Sequence, residues 1–298
     1  MLRPRLSALG RVLPRAWGEA ILARPRGLDL PSLLADCFMS YTPDAIGFDP
    51  ARARRALFMV DQLVCRYFRM TAIGGHNLPP GRALIIGCHS GGLPWDAACL
   101  VVAIQRATRR FSRNAGDRIF GRFAAVERFL GARGAVISSP SQLEALLDQD
   151  ELVVLFPGGA KDMTRPIWER YRVKPHRGFA PGRGGYIRLA LRTRSPIVPV
   201  AIVGAEETHL LLANLAPVAR LLALPYVPLF LSPLPLPARI YVRFGAPIHL
   251  AAPPEAAADQ ETVDRLNVEV RHGLQALIDD TRRRRRGIYW SSYDGDID

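Results

Sequence analysis

Lysine is almost missing from this 298-residue sequence: of its 40 basic residues only Lys161 and Lys174 are lysine, and the rest are arginine. Such a skew follows coding bias as readily as function, so the formal charge of +13 is a weak pointer to an anionic partner. Paired cysteines are lacking too. Cys37, Cys65, Cys88 and Cys99 form no C-x-x-C and sit in apolar stretches, which excludes a disulfide framework and reads as small buried side chains in a reducing compartment. The six histidines include no H-x-x-x-H pair, so no metal is expected. No G-x-S-x-G occurs, which counts against a nucleophile-elbow hydrolase. An unbroken membrane-spanning run is also lacking. The most apolar region, residues 210–236, is interrupted by Pro217, Arg220, Pro225, Pro228, Pro233 and Pro235, so it fits lying on a bilayer better than crossing one. The N-terminal "MLRPRLSALGRVLPRAW" is basic and mildly amphipathic, without the apolar core and small-residue cleavage site of a secretory signal.

What remains is enough apolar residue, 49% of the chain, for a full core. Three parts are expected: a basic N-terminal segment over 1–50, a main domain over 51–250, and a C-terminal helix with a polybasic tail over 251–298. Residues 51–70 place Leu57, Val60, Leu63, Val64 and Phe68 at helical spacing, giving a basic amphipathic helix that either packs on the core or docks on anionic lipid. Short apolar strands at 83–88, 135–137, 152–156, 197–203 and 239–244 alternate with helices at 95–109, 139–147, 182–194 and 262–285. Ser139-Pro140-Ser141-Gln142 reads as a capping box. The alternation predicts an α/β layered domain, a mostly parallel central sheet flanked by helices.

In such sheets ligands gather beyond the carboxyl ends of the strands, where Gly91-Gly92 and Gly158-Gly159 fall. The first of these stretches is "GCHSGGLPWD", residues 87–96. Its glycines allow a tight reversal that brings His89, at a strand end, toward Asp96, in the first turn of the next helix. An imidazole oriented by a carboxylate is a general base; the same pair is also an ordinary structural hydrogen bond, with Asp96 favoured by the helix dipole. Both readings stand on spacing alone.

"CHSGGLPWD", "GAVISSP", "VVLFPGGAKD" (153–162) and "GFAPGRGGYIRLALRTRSPIVPVAIVGAEE" (178–207) occur in this order. Together they resemble the glycerolipid acyltransferase family over residues 71–247, and the Gly-Gly third block is similar to its neutral-glyceride, diacylglycerol acyltransferase-like branch. The resemblance implies transfer of a fatty acyl group from acyl-CoA or acyl carrier protein, as co-substrate and with no cofactor, to the hydroxyl of a lipid acceptor: a glyceride, a long-chain alcohol or a lysophospholipid. His89 would be the base and Asp96 its orienting partner, with no protein nucleophile, Ser90 included. Substrate contacts would come from Gly158, Gly159, Lys161, Arg133 and Arg165, and the protein would sit peripherally on an anionic membrane at its cytoplasmic face. Six residues rather than the family's four separate His89 from Asp96. Two further departures bear on the acceptor: Pro157-Gly158-Gly159-Ala160-Lys161 stands where lysophosphatidate enzymes have Pro-Glu-Gly-Thr-Arg, and the family's phosphate-binding arginine of the second block is replaced by Ser138-Ser139-Pro140, with Arg133 displaced upstream. A lysophosphatidate-specific acyltransferase and a basic lipid-binding protein without catalysis are the alternatives. Nucleic acid is not expected, since no recognisable module interleaves aromatics with the basic residues.

Overall fold

The computed structural model describes residues 47–116, 124–137, 139–221 and 226–289. Most of the basic N-terminal segment, Cys37, Ser138 and the end of the C-terminal tail lie outside the described residues.

The elements in chain order are α1 (Pro50–Arg66), β1 (Thr71–Ile73), β2 (Ala83–Gly87), α2 (Trp95–Thr108), β3 (Ser112–Gly116), α3 (Ala124–Gly131), β4 (Ala135–Ile137), α4 (Pro140–Asp148), β5 (Leu152–Leu155), α5 (Gly185–Thr193), β6 (Ile197–Val203), β7 (Leu211–Asn214), α6 (Ala216–Leu221), β8 (Pro228–Phe230), β9 (Tyr241–Phe244) and α7 (Gln260–Arg284). Seven strands form one sheet in the order β1-β9-β6-β2-β5-β3-β4. From β6 through β4 all neighbours run parallel, while β9 is antiparallel to β6 and carries β1 beside it in parallel. The mixed α/β fold with a mostly parallel central sheet is the architecture that the alternation of elements implies.

The apolar runs explain the layering. Every residue of β2 ("ALIIG") and β6 ("IVPVAIV") is buried, as a strand covered on both faces requires. Leu84, Ile86 and Val153 face a layer built from α4, α5 and α7, where they meet Leu143, Leu147, Ile187 and Leu274. Ile85, Val154, Val198 and Val200 face α1 and α2, meeting Val64, Phe68, Leu100 and Ile104. Proline opens α4 at its first position and Pro94 caps α2, so two strand-to-helix turns are set by residues with a fixed φ. α7 is capped by Asp259, whose carboxylate accepts from Glu261 N at 3.3 Å and Thr262 N at 3.1 Å.

Several expectations need correction. The first helix ends at Arg66 rather than Met70, because the chain closes with Met70 N donating to Val64 O and Arg69 takes a positive φ of 47°. Its basic face is partly neutralised: Arg52 is buried against Asp49 at 3.3 Å, and Asp61 takes Arg106 of α2. The capping box does not form, since Ser139 Oγ pairs with Ser141 Oγ at 2.8 Å and makes no cap bond. Within the proline-broken region 210–236 the chain makes an excursion not read from the sequence, β7–α6–β8, whose two strands pair antiparallel. β3 was not expected at all: its sequence "SRNAG" is polar although Ser112 and Arg113 are buried.

Candidate active site

Three loops leave the carboxyl ends of adjacent strands in the middle of the sheet: 88–94 after β2, 156–164 after β5 and 204–207 after β6. The first carries His89. Its Nδ1 lies 2.8 Å from Asp96 Oδ2, and the same oxygen accepts the Ser90 N–H at 2.9 Å. Asp96 Oδ1 takes the Ala97 N–H at 2.7 Å, so a fully buried carboxylate is satisfied as an acceptor by three donors. With Nδ1 directed at a carboxylate, the imidazole presents Nε2 as its free base. The ring lies flat on Phe156 at 3.9 Å between centroids and 10° between planes, and the side chain keeps 16% of its surface open. The reversal depends on Gly91, whose φ is +91° and whose α-carbon faces the Ala205 carbonyl too closely for a Cβ.

Behind this loop lies a buried network. Asp162 Oδ2 accepts from Cys88 Sγ at 3.1 Å, and Asp162 Oδ1 stands 2.8 Å from His176 Nε2. Burial works against the Asp162 charge, but the His176 contact, the Arg165 guanidinium and the Cys88 thiol together hold its carboxyl below the ordinary value. The Cys88 thiol is pushed well up, by burial first, and is no nucleophile. Arg165 donates to the His89 carbonyl, to Asp162 O at 2.8 Å and to Arg172 O at 2.6 Å, and stands 3.5 Å from Glu206 Oε1. Glu206 also accepts the Tyr171 N–H at 3.1 Å; burial outweighs the Arg165 charge and pushes this carboxyl up to about 6. Its neighbour Glu207 is bonded by the Tyr171 hydroxyl and, at 2.7 Å, by Arg285.

A small open cleft lies beside the His89 loop, lined among others by Gly91, Asp162, Arg165, Arg170, Glu206 and His209. The β7–β8 excursion forms one wall: Tyr226 donates its hydroxyl to Gly92 O at 3.1 Å, and Phe230 packs on His209.

The residues expected at the site part company here. His89, Asp96, Gly158, Gly159 and Arg165 converge at the carboxyl edge. The Gly159 N–H is spent on a turn to Phe156 O at 2.9 Å, which leaves the Gly158 N–H as the amide of the pair outside that turn. Lys161 is in the same loop but exposed to solvent. Arg133 is not brought in: it precedes β4, the far edge strand, at the amino end of the sheet, where it donates to Phe129 O at 2.8 Å and stacks on the Phe129 ring. Phe156 and His176 were missed from sequence. Phe156 reads as the last residue of an apolar strand, and nothing in the local pattern around His176 marks its partner.

Among the described residues no group of three or more His, Cys, Asp or Glu could hold a metal ion, and no helix is long and apolar enough to cross a membrane.

Comparison with known proteins bears on the family and the fold. A family profile described as Acyltransferase matches residues 69–203. An uncharacterised protein of Mycobacterium tuberculosis is 32% identical over 264 residues, covering 84% of this chain and 72% of that protein. The chloroplastic phytyl ester synthase of Arabidopsis thaliana is 27% identical over 171 residues, 49% of this chain and 24% of that protein. In fold the chain is similar to the crystal structure of the 1-acyl-sn-glycerophosphate acyltransferase PlsC from Thermotoga maritima, with a TM-score of 0.52, 12% identity, and coverage of 86% and 90%.

Proposed function

The chain belongs to the glycerolipid acyltransferase family, and from that premise we propose that it esterifies a neutral lipid alcohol, using His89 as general base and Asp96 to orient it. The acceptor hydroxyl gives its proton to His89 Nε2 as its oxygen attacks the thioester carbonyl of acyl-CoA or acyl carrier protein. Asp96 holds the tautomer and stabilises the imidazolium. The Gly158 N–H, which lies outside the Gly159 turn, is the loop amide offered to the tetrahedral oxyanion. Collapse forms the ester, breaks the C–S bond and returns the proton from His89 to the departing thiolate.

The observation that carries the reading is the Asp96 carboxylate, buried and saturated with donors, 2.8 Å from an imidazole that remains partly open. Support for a neutral acceptor comes from the fate of the cations. Arg165 is spent on three carbonyls and Glu206, Arg133 lies at the other edge of the sheet, and Lys161 points into solvent. A phosphate needs matched cations or a cradle of amides. The phytyl ester synthase relative, whose name specifies ester formation on a long-chain alcohol, favours the same class of acceptor. A lysophosphatidate acceptor remains the second reading, favoured by Arg165 and Arg170 in the cleft wall.

We place the protein peripherally on the cytoplasmic face of an anionic membrane, where a lipid acceptor partitions. The β7–α6–β8 excursion supports this: Leu212, Leu215, Val218, Leu221, Leu229 and Leu231 are exposed beside the cleft. The test is a head-to-head kcat/KM comparison of long-chain alcohol, diacylglycerol and lysophosphatidate with one labelled thioester donor. Faster turnover of the uncharged acceptors is expected; a clear preference for lysophosphatidate contradicts the neutral assignment.

A further inference from the structure

The peptide unit joining His89 to Ser90 is held at both ends. Its N–H, on Ser90, donates to Asp96 Oδ2 at 2.9 Å, the oxygen that also meets His89 Nδ1. Its carbonyl, on His89, accepts from Nη2 of Arg165, a residue 76 positions away. We infer that Arg165 is the positioning residue of the His89–Asp96 pair, acting across this one peptide unit rather than on a substrate. The inference rests on the catalytic reading of His89 given above.

Three properties of the guanidinium suit it to this task. It is planar and permanently charged, with donors in a fixed fork, so contacts to several carbonyls fix its own orientation. Arg165 uses all three nitrogens of that fork: Nε goes to Asp162 O at 2.8 Å, Nη1 to Arg172 O at 2.6 Å, and Nη2 to His89 O, with Glu206 Oε1 at 3.5 Å as counter-charge. It is also largely buried, which strengthens these bonds. A donor on the carbonyl polarises the amide and strengthens the N–H on its other side, which is the N–H that Asp96 receives. Arg165 therefore fixes the plane of the peptide and reinforces the bond that fixes the carboxylate. Through its counter-charge it also ties the His89 loop to the loops after β5 and β6. A lysine here would bring its three donors on a single nitrogen, where Arg165 reaches three separate carbonyls from three nitrogens.

The experiment uses the full-length purified protein with a thioester donor and both a long-chain alcohol and a lysophosphatidate acceptor. Arg165→Gln and Arg165→Lys are compared with wild type for kcat, KM and the low-field proton resonance of His89 Nδ1–H, with circular dichroism reporting the fold. The expected result is a fall in kcat of about 100-fold, the order for a slight misplacement of reacting groups. KM should change little for either acceptor, and the His89 resonance should shift or broaden. Wild-type kcat in folded Arg165→Gln overturns the assignment. So does a loss confined to KM for lysophosphatidate, which would make Arg165 a phosphate ligand. If neither variant folds, hydrogen exchange in wild type decides: the Ser90 amide must be strongly protected although it lies in a loop, and rapid exchange there rejects the proposal. Wild-type activity in His89→Ala would instead remove the catalytic reading itself, an outcome distinguishable from failure of the Arg165 assignment alone.

Discussion

The Asp162 carboxylate lies directly over Gly158: a Cβ built on this glycine would fall 1.9 Å from Asp162 Oδ2. Gly158 has an ordinary φ of −71°, so the glycine is required by this close approach and not by the backbone conformation. Asp162 cannot simply swing away, because Cys88 and His176 hold it from two other directions.

Gly158→Ala should therefore destabilise the fold by about 1–3 kcal/mol, the usual cost of forcing an extra carbon into a filled site. Chemical denaturation checks this through the midpoint at unchanged slope. Activity should fall as well, since a displaced Asp162 disturbs the loop whose carbonyl Arg165 uses. A variant with wild-type stability would mean that the carboxylate has another place to go.

Glu206 makes stability depend on pH in a direction opposite to that of most carboxylates. Burial raises its folded-state value from the ordinary 4.5 to about 6. Between those values the folded chain retains a proton that the unfolded chain has released, so this group makes stability fall as pH rises through the window. Glu206→Gln, which stays neutral, should gain on wild type by about 2 kcal/mol between pH 4 and pH 7. Thermal melts across that range measure it; curves that run parallel would contradict the burial argument.

Membrane attachment should have two components. Charge attraction weakens as salt screens it, while apolar contact through the β7–α6–β8 excursion persists. Vesicle flotation should show binding to anionic liposomes that is reduced but not abolished at high salt. Leu221→Asp and Leu231→Asp, at positions 85% and 62% exposed, should remove the residual part. Absence of flotation at every salt concentration would contradict the peripheral placement. The arginine run is a smaller contributor than its sequence suggests, because Arg283 and Arg284 pair with Asp280 and Arg285 with Glu207.

The central strands were legible because two-sided burial leaves uninterrupted apolar runs, and β6 begins and ends where its run does. β3 was not, since its buried Arg113 and Ser112 make a strand that looks like a loop. The β7–β8 pair was hidden by the prolines that broke the region into pieces too short to read. At the site, the approach of His89 to Asp96 was legible from the local spacing, while the catalytic reading of the pair came from the family resemblance. Arg165 was legible only as a charge in the right loop. Its partners are carbonyls contributed by three separate segments, and no sequence pattern records the direction of a guanidinium toward backbone. Arg133 shows the converse: a nearby cation in the chain that the sheet carries to its opposite edge.

The central claim, that His89 is the base for acyl transfer, is tested most directly by single-turnover transfer from a labelled thioester to a long-chain alcohol with purified His89→Ala. The side chain is partly exposed at a strand end, so the variant should fold, as circular dichroism and melting temperature would verify. The account predicts loss of ester formation by at least the 10²–10⁴-fold typical of a removed general base, roughly, with thioester binding retained. Ester formation at the wild-type rate in folded His89→Ala would contradict it.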